Sequence, residues 1–226
     1  MLRIVLLSAL LSINARAADS ETYNRVDFQV DAAREVANDL LAANLTVEIQ
    51  DKLPARVAQQ INAALNDALK KASAFESVKT GSGNQNTFPI YGKNNQIEAW
   101  RGHAEIHLES RDFKAAGELI MQLQSTLQIG SVQFTIAPDT RAQIENSLIA
   151  EAIKAFQTRA DAIRAAVGAA SYKTVHFAIN SGDGPSPHPV PMMRAMAMSA
   201  APIPAPQFAG GESRMTVQIS GTIETQ

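Results

Sequence analysis

The sequence predicts an α+β fold: a mainly antiparallel sheet with about three helices packed on it, two β-β-α-like halves, and a Pro/Met-rich loop before the last strand. Three observations carry this. Six stretches alternate apolar and polar residues, the pattern of strands that bury one face. Three others space apolar residues at i, i+4, the pattern of helices with one buried stripe. Strand pairs tend to precede a helix, which favours helices gathered on antiparallel sheet.

In chain order, Val26, Phe28 and Val30 form the first alternating set, and Leu41, Ala43, Leu45, Val47 and Ile49 the second. Glu35-Val-Ala-Asn38-Asp39-Leu40 reads as the connection between them, because Asn and Asp favour turns. Leu53, Val57, Ile61, Leu65 and Leu69 mark the first helix, with Pro54 in the first turn where its missing N–H costs nothing. Val78–Ile90 reads as a weaker strand carrying a turn at Gly81-Ser82-Gly83. Ala104, Ile106 and Leu108 mark the next strand, and Trp100 shares their core-facing parity. Phe113, Ala116, Leu119, Ile120, Leu123 and Leu127 line the second helix, capped by Ser110 or Asp112. Val132, Phe134 and Ile136 form the strand before the third helix, Thr140 to Val167. Thr140 with Gln143 reads as its capping box and Gly168 as its stop. Its apolar positions are Ile144, Leu148, Ala152, Phe156, Ile163 and Val167. Val175, Phe177 and Ile179, then Met215, Val217, Ile219 and Ile223, complete the order β-β-α-β-β-α-β-α-β-β.

Residues 1–17, MLRIVLLSALLSINARA, carry the address. Arg3 supplies a positive n-region, Ile4 to Leu11 an apolar run too short for a ~30 Å hydrocarbon core, and Ala15-Arg16-Ala17 a small-x-small cleavage pattern. The expected mature chain starts at Ala18, spans residues 18–226 as a single domain, and carries a net charge of −4 after Arg3 and Arg16 leave a precursor of −2. Periplasmic localisation is expected, with outer-membrane association as a variant of it. The chain has no Cys, which excludes disulfides, thiol chemistry and iron–sulfur ligation. An acidic domain without a Lys/Arg cluster does not suit nucleic acid, and no later segment is apolar for long enough to suggest a transmembrane span.

Residues 181–211 hold seven of the ten prolines and four of the seven methionines. Such a stretch denies itself helix and ladder hydrogen bonds and reads as an exposed extended excursion between two strands. Met192, Met193, Met196 and Met198, with His188 just before them, offer soft ligands for Cu(I). The same thioethers also make an adaptable apolar surface for a partner. A second metal pattern, His103-Ala-Glu105-Ile-His107-Leu-Glu109, lies on a strand, where the two His would stand ~13 Å apart at ~3.3 Å per residue. Two ligands that each sit ~2 Å from one zinc ion cannot be so far apart. Only i, i+2 neighbours such as His103 and Glu105 could act jointly, and a solvated sheet face with alternating charges is the plainer reading. No nucleophile elbow and no phosphate cradle occurs; Gly81-Ser82-Gly83 lacks the Lys and the following helix. No catalytic residues and no cofactor are expected.

Glu35-Val-Ala-Asn-Asp-Leu40, Trp100-Arg-Gly-His-Ala-Glu-Ile-His-Leu-Glu-Ser-Arg-Asp-Phe113 and Val132-Gln-Phe-Thr-Ile-Ala-Pro-Asp-Thr-Arg141, in this order, resemble SIMPL-domain proteins. The long Ala-rich helix ending at Gly168, the Pro/Met excursion and the final alternating strand extend the resemblance over the mature chain. It implies an exported bacterial α+β protein with envelope or stress roles and self-assembly, and it carries over no catalytic residues. It also implies that the Met cluster is a family linker. The expected partners are a second copy of the chain and an envelope protein, and the expected role is non-enzymatic, with Cu(I) binding as the alternative.

Overall fold

The computed structural model describes residues 23–183 and 209–226. The leader at 1–17 and the cluster His188, Met192, Met193, Met196 and Met198 lie outside these residues. Among the described residues seven strands and three α-helices follow one another in the expected order: β1 (Arg25–Ala37), β2 (Leu40–Asp51), α1 (Pro54–Ala72), β3 (Val78–Tyr91), β4 (Ile97–Ser110), α2 (Phe113–Leu123), β5 (Gln128–Thr135), α3 (Pro138–Ala166), β6 (Tyr172–Asp183) and β7 (Glu212–Thr225).

All strand pairs are antiparallel, but they form two sheets: β3-β4-β2-β5 and β1-β7-β6. The middle of the chain, β2-α1-β3-β4-α2-β5, closes the four-stranded sheet in the split β-α-β order of ferredoxin-like domains. The chain ends supply the second sheet, with α3 on it. The halves are therefore an inner and an outer set of elements, rather than a first and a second.

Each sheet has its own core. Leu41, Leu45, Ile106 and Leu108 of β2 and β4 meet Val57 and Ile61 of α1 and Leu119, Ile120 and Leu123 of α2. Gly102 lets α1 come close: a Cβ there would lie 2.4 Å from Ile61 Cδ1 and from Val57 Cγ1. Trp100 packs partly buried against this core, as its parity predicts. In the other sheet Val30, Val217, Ile219 and Ile223 meet Leu148, Ala152, Phe156 and Ala160 of α3. Phe28 stacks on Phe156 at 4.5 Å, and Phe177 sits 6.2 Å away on its other side.

Several expectations are corrected. The α1 stripe does not bury its ends: Leu53 and Leu69 are exposed while Ala68 and Ala72 are buried. Successive i+4 steps rotate by ~40° at 3.6 residues per turn, so an i, i+4 row leaves the core within two steps of its centre. β3 has no turn at Gly81-Ser82-Gly83; it continues through an irregularity between Ser82 and Gln85. β1 extends to Ala37, so only Asn38 and Asp39 separate it from β2. Asp112, not Ser110, caps α2, accepting from the Ala115 N–H at 3.0 Å. Thr140 caps nothing; α3 starts at Pro138, and Gly168, at φ 72°, ends it as expected. Val175, Phe177 and Ile179 are not buried but 42%, 47% and 40% exposed, because α3 lies mainly over β1 and β7 and covers edge strand β6 only in part.

Candidate functional site

Alternation along β4 turns Ala104, Ile106 and Leu108 inward and His103, Glu105, His107 and Glu109 to the opposite face. β4 is an interior strand, so this face is flanked by β2 and β3. Register places Glu48 opposite His103, Thr46 opposite Glu105 and Asn44 opposite His107. On the other side Asn86 faces His103, and Gly81 faces His107.

At the centre stands Glu105. One oxygen lies 3.1 Å from His103 Nε2 and the other 3.9 Å from His107 Nε2, so one carboxylate serves both imidazoles. The His103 hydrogen bond is the main reason that the Glu105 carboxyl sits below its ordinary range; partial burial opposes this, and a hydrogen bond from Asn44 adds to it. Asn44 Oδ1 is buried without a hydrogen-bond partner. Gly83 provides the space for the group. A Cβ there would lie 2.4 Å from His107 Nε2 and 2.9 Å from Glu105 Cβ, so the glycine is needed for room and not for an unusual φ.

The arrangement is a polar cluster on an open face, with one hydrogen bond between His103 and Glu105 and with His107 at longer range. The expected solvated face is thus tighter than alternation alone suggests, with Glu105 joining the two His. Among the described residues no group of three or more His, Asp or Glu is placed to hold a metal ion. In the variant His103→Ala the Glu105 carboxyl should titrate at higher pH than in the parent chain, followed by ¹³C NMR of the side chain; an unchanged midpoint would remove His103 as the cause.

The outer face of the other sheet is also polar. His176, expected on an outer face, lines an open concavity of about 490 Å³ with Asp27, Gln29, Ser220 and Thr222, and Phe28 and Gly221 add an apolar part to it.

Asn38 and Asp39, expected to act as turn residues, do something else. Asn38 donates through Nδ2 to the Gly210 carbonyl at 2.7 Å and accepts from the Ser213 hydroxyl at 2.7 Å. Its N–H also donates to the Gly211 carbonyl at 3.0 Å. Asp39 accepts from the Ala137 N–H at 2.7 Å and from the Thr140 hydroxyl at 2.6 Å. These two residues tie the crossing from one sheet to the other to the starts of α3 and β7. The bonds span about 100 to 175 positions, so only the fold brings the partners together.

No helix among the described residues is long and apolar enough to cross a membrane, which says nothing of strands. A search of curated proteins gives no match. A family model does match: SIMPL, described as a protein of unknown function (DUF541), over residues 26–223.

Proposed function

The chain belongs to the SIMPL family, whose function is unknown, and on that premise we propose that it is an exported, non-enzymatic protein of the cell envelope that self-assembles and binds a partner. One observation carries the reading. Val175, Phe177 and Ile179 of β6 keep 40–47% of their surface in water. Large apolar side chains gathered on an exposed strand commonly mark a contact surface. These three follow one another on a single edge strand, and so stand apart from the exposed apolar residues elsewhere, such as Phe88, Tyr91 and Ile97. Export is supported by the charge, apolar run and small-x-small pattern of residues 1–17.

Light scattering on the chain starting at Ala18, at micromolar concentration, tests the self-assembly. A mass of two or more protomers is expected. A single-protomer mass overturns the reading.

A further inference from the structure

We infer that two copies of this chain join edge to edge through β1, antiparallel about a two-fold axis at Val30, so that two three-stranded sheets become one of six strands. The inference rests on the self-assembly reading and places the seam on β1, at the opposite edge of the sheet from the exposed β6 residues, which stay open to another partner.

Four strands stand at sheet edges: β1 and β6 in one sheet, β3 and β5 in the other. Proteins keep such edges from pairing with irregularities, proline, short length or charged side chains, some of them pointing inward. β3 contains Pro89 and breaks register at Ser82/Gln85 and at Ile90/Tyr91. β5 has 8 residues and an irregularity at Asn44/Leu45 of its partner strand. β6 breaks register between Thr174 and His176. β1 has only the last of these, its charges, and they are of both signs, with Arg34 of the core face already paired to Glu151. Its 13 residues hold unbroken register against β7 without Pro or Gly, and among the described residues no strand pairs with its far side.

The sequence of β1 is complementary to itself in one register. With Val30 facing the partner's Val30, Arg25 lies opposite the partner's Glu35 and Gln29 opposite the partner's Asp31. Phe28 then meets the partner's Ala32 on the core face. Within each chain Arg25 already pairs with Glu224 at 3.0 Å, and Glu35 lies 3.8 Å from Arg214. One row across the joined sheet would therefore run Glu224, Arg25, the partner's Glu35, the partner's Arg214, alternating in sign at every strand. The two-fold axis repeats that row at the other end. Moving the axis by one residue fails either way. At Asp31 that carboxylate faces the partner's Asp31, and Asp27 faces the partner's Glu35; at Gln29, Asp27 faces the partner's Asp31. Directly opposed like charges destabilise a strand pair. On the core face Arg34 would lie opposite the partner's Val26, with its guanidinium already paired to Glu151.

The Cys-free chain makes the test clean, because any introduced thiol is unique. Gln29→Cys and Asp31→Cys each alter an exposed position. Directly opposed residues of an antiparallel pair have Cα atoms about 4.5–5.5 Å apart, within disulfide range, whereas diagonal ones stand about 7–8 Å apart. The two variants, each starting at Ala18, are oxidised mildly alone and after mixing, and are read on non-reducing gels. The mixture should give at least several-fold more covalent dimer than either variant alone. Equal or absent cross-linking in a chain that light scattering shows to be oligomeric places the seam elsewhere and overturns this inference alone. A chain that is monomeric throughout removes the self-assembly reading as well.

Discussion

Phe156→Ala is expected to destabilise the protein by roughly 3–5 kcal/mol, the usual range for removing a buried ring. Phe156 is 5% exposed on α3, stacks on Phe28, and reaches Phe177. Gly221 lies beneath it; a Cβ at that position would be 3.0 Å from Phe156 Cε2, so the backbone supplies part of the ring's socket. Loss of the ring leaves Phe28 and Phe177 without a common partner and opens a cavity that a three-stranded sheet under one helix cannot fill by collapse. Urea unfolding followed by circular dichroism measures the loss. The lone tryptophan, Trp100, sits in the other core and reports it separately. Coincident transitions by the two probes mean that the cores unfold as one unit; separated transitions mean that the variant has uncoupled them. A loss below about 1 kcal/mol would show that the site collapses well, contrary to this account.

Asp39→Ala comes second, at about 2–3 kcal/mol, because a carboxylate accepting two hydrogen bonds leaves the Ala137 N–H and the Thr140 hydroxyl without their acceptor. The effect depends on pH. Burial pushes the Asp39 carboxyl upward, but the bonds from Ala137 and Thr140 and the nearby Arg111 outweigh it and hold the group below its ordinary value. A depressed carboxyl contributes stability that is present above the unfolded value, near pH 4, and is lost as pH falls through the folded value. The gap between parent and Asp39→Ala should be full at pH 7 and should narrow below about pH 4. Denaturant midpoints at the two pH values check this. A gap that widens on acidification would refute the assignment. Asp39→Asn should lose less at pH 7, since an amide oxygen can still accept one of the two bonds, and should flatten the acid limb.

The order of all ten elements is legible in the sequence because one-sided burial writes a period on each of them. Where burial is not one-sided, the legibility ends. β3 presents Gly81, Ser82, Gly83, Asn84, Gln85 and Asn86, which look like a turn, yet the stretch pairs along β4 and stays exposed. Val175, Phe177 and Ile179 keep the period of a buried face, but a single helix cannot cover three strands. Which sheet a strand joins is set by pairings between distant segments, and no local pattern records them. The candidate site divides in the same way. His103, Glu105 and His107 show their shared face through spacing alone. Asn44 and Gly83, which complete the cluster, come from neighbouring strands and are visible only through register. Asn38 and Asp39 look like turn residues because their chemistry is the same in a turn and in a tie between two sheets.

The nesting of the four-stranded sheet inside the chain sets an order of assembly in time. Leu40–Thr135 contains every strand of that sheet together with α1 and α2, so it can close as soon as this segment is available. β1 is made first and completed last: Arg25 meets Glu224 across 199 positions. Contacts at such separation form slowly, since the chain loses its loop freedom before the contact repays it. Until Glu212–Thr225 arrives, Val26, Phe28 and Val30 have no partner strand and stay exposed to any apolar surface nearby. A newly made chain thus has a long interval in which Leu40–Thr135 can fold while β1 must wait for Glu212–Thr225.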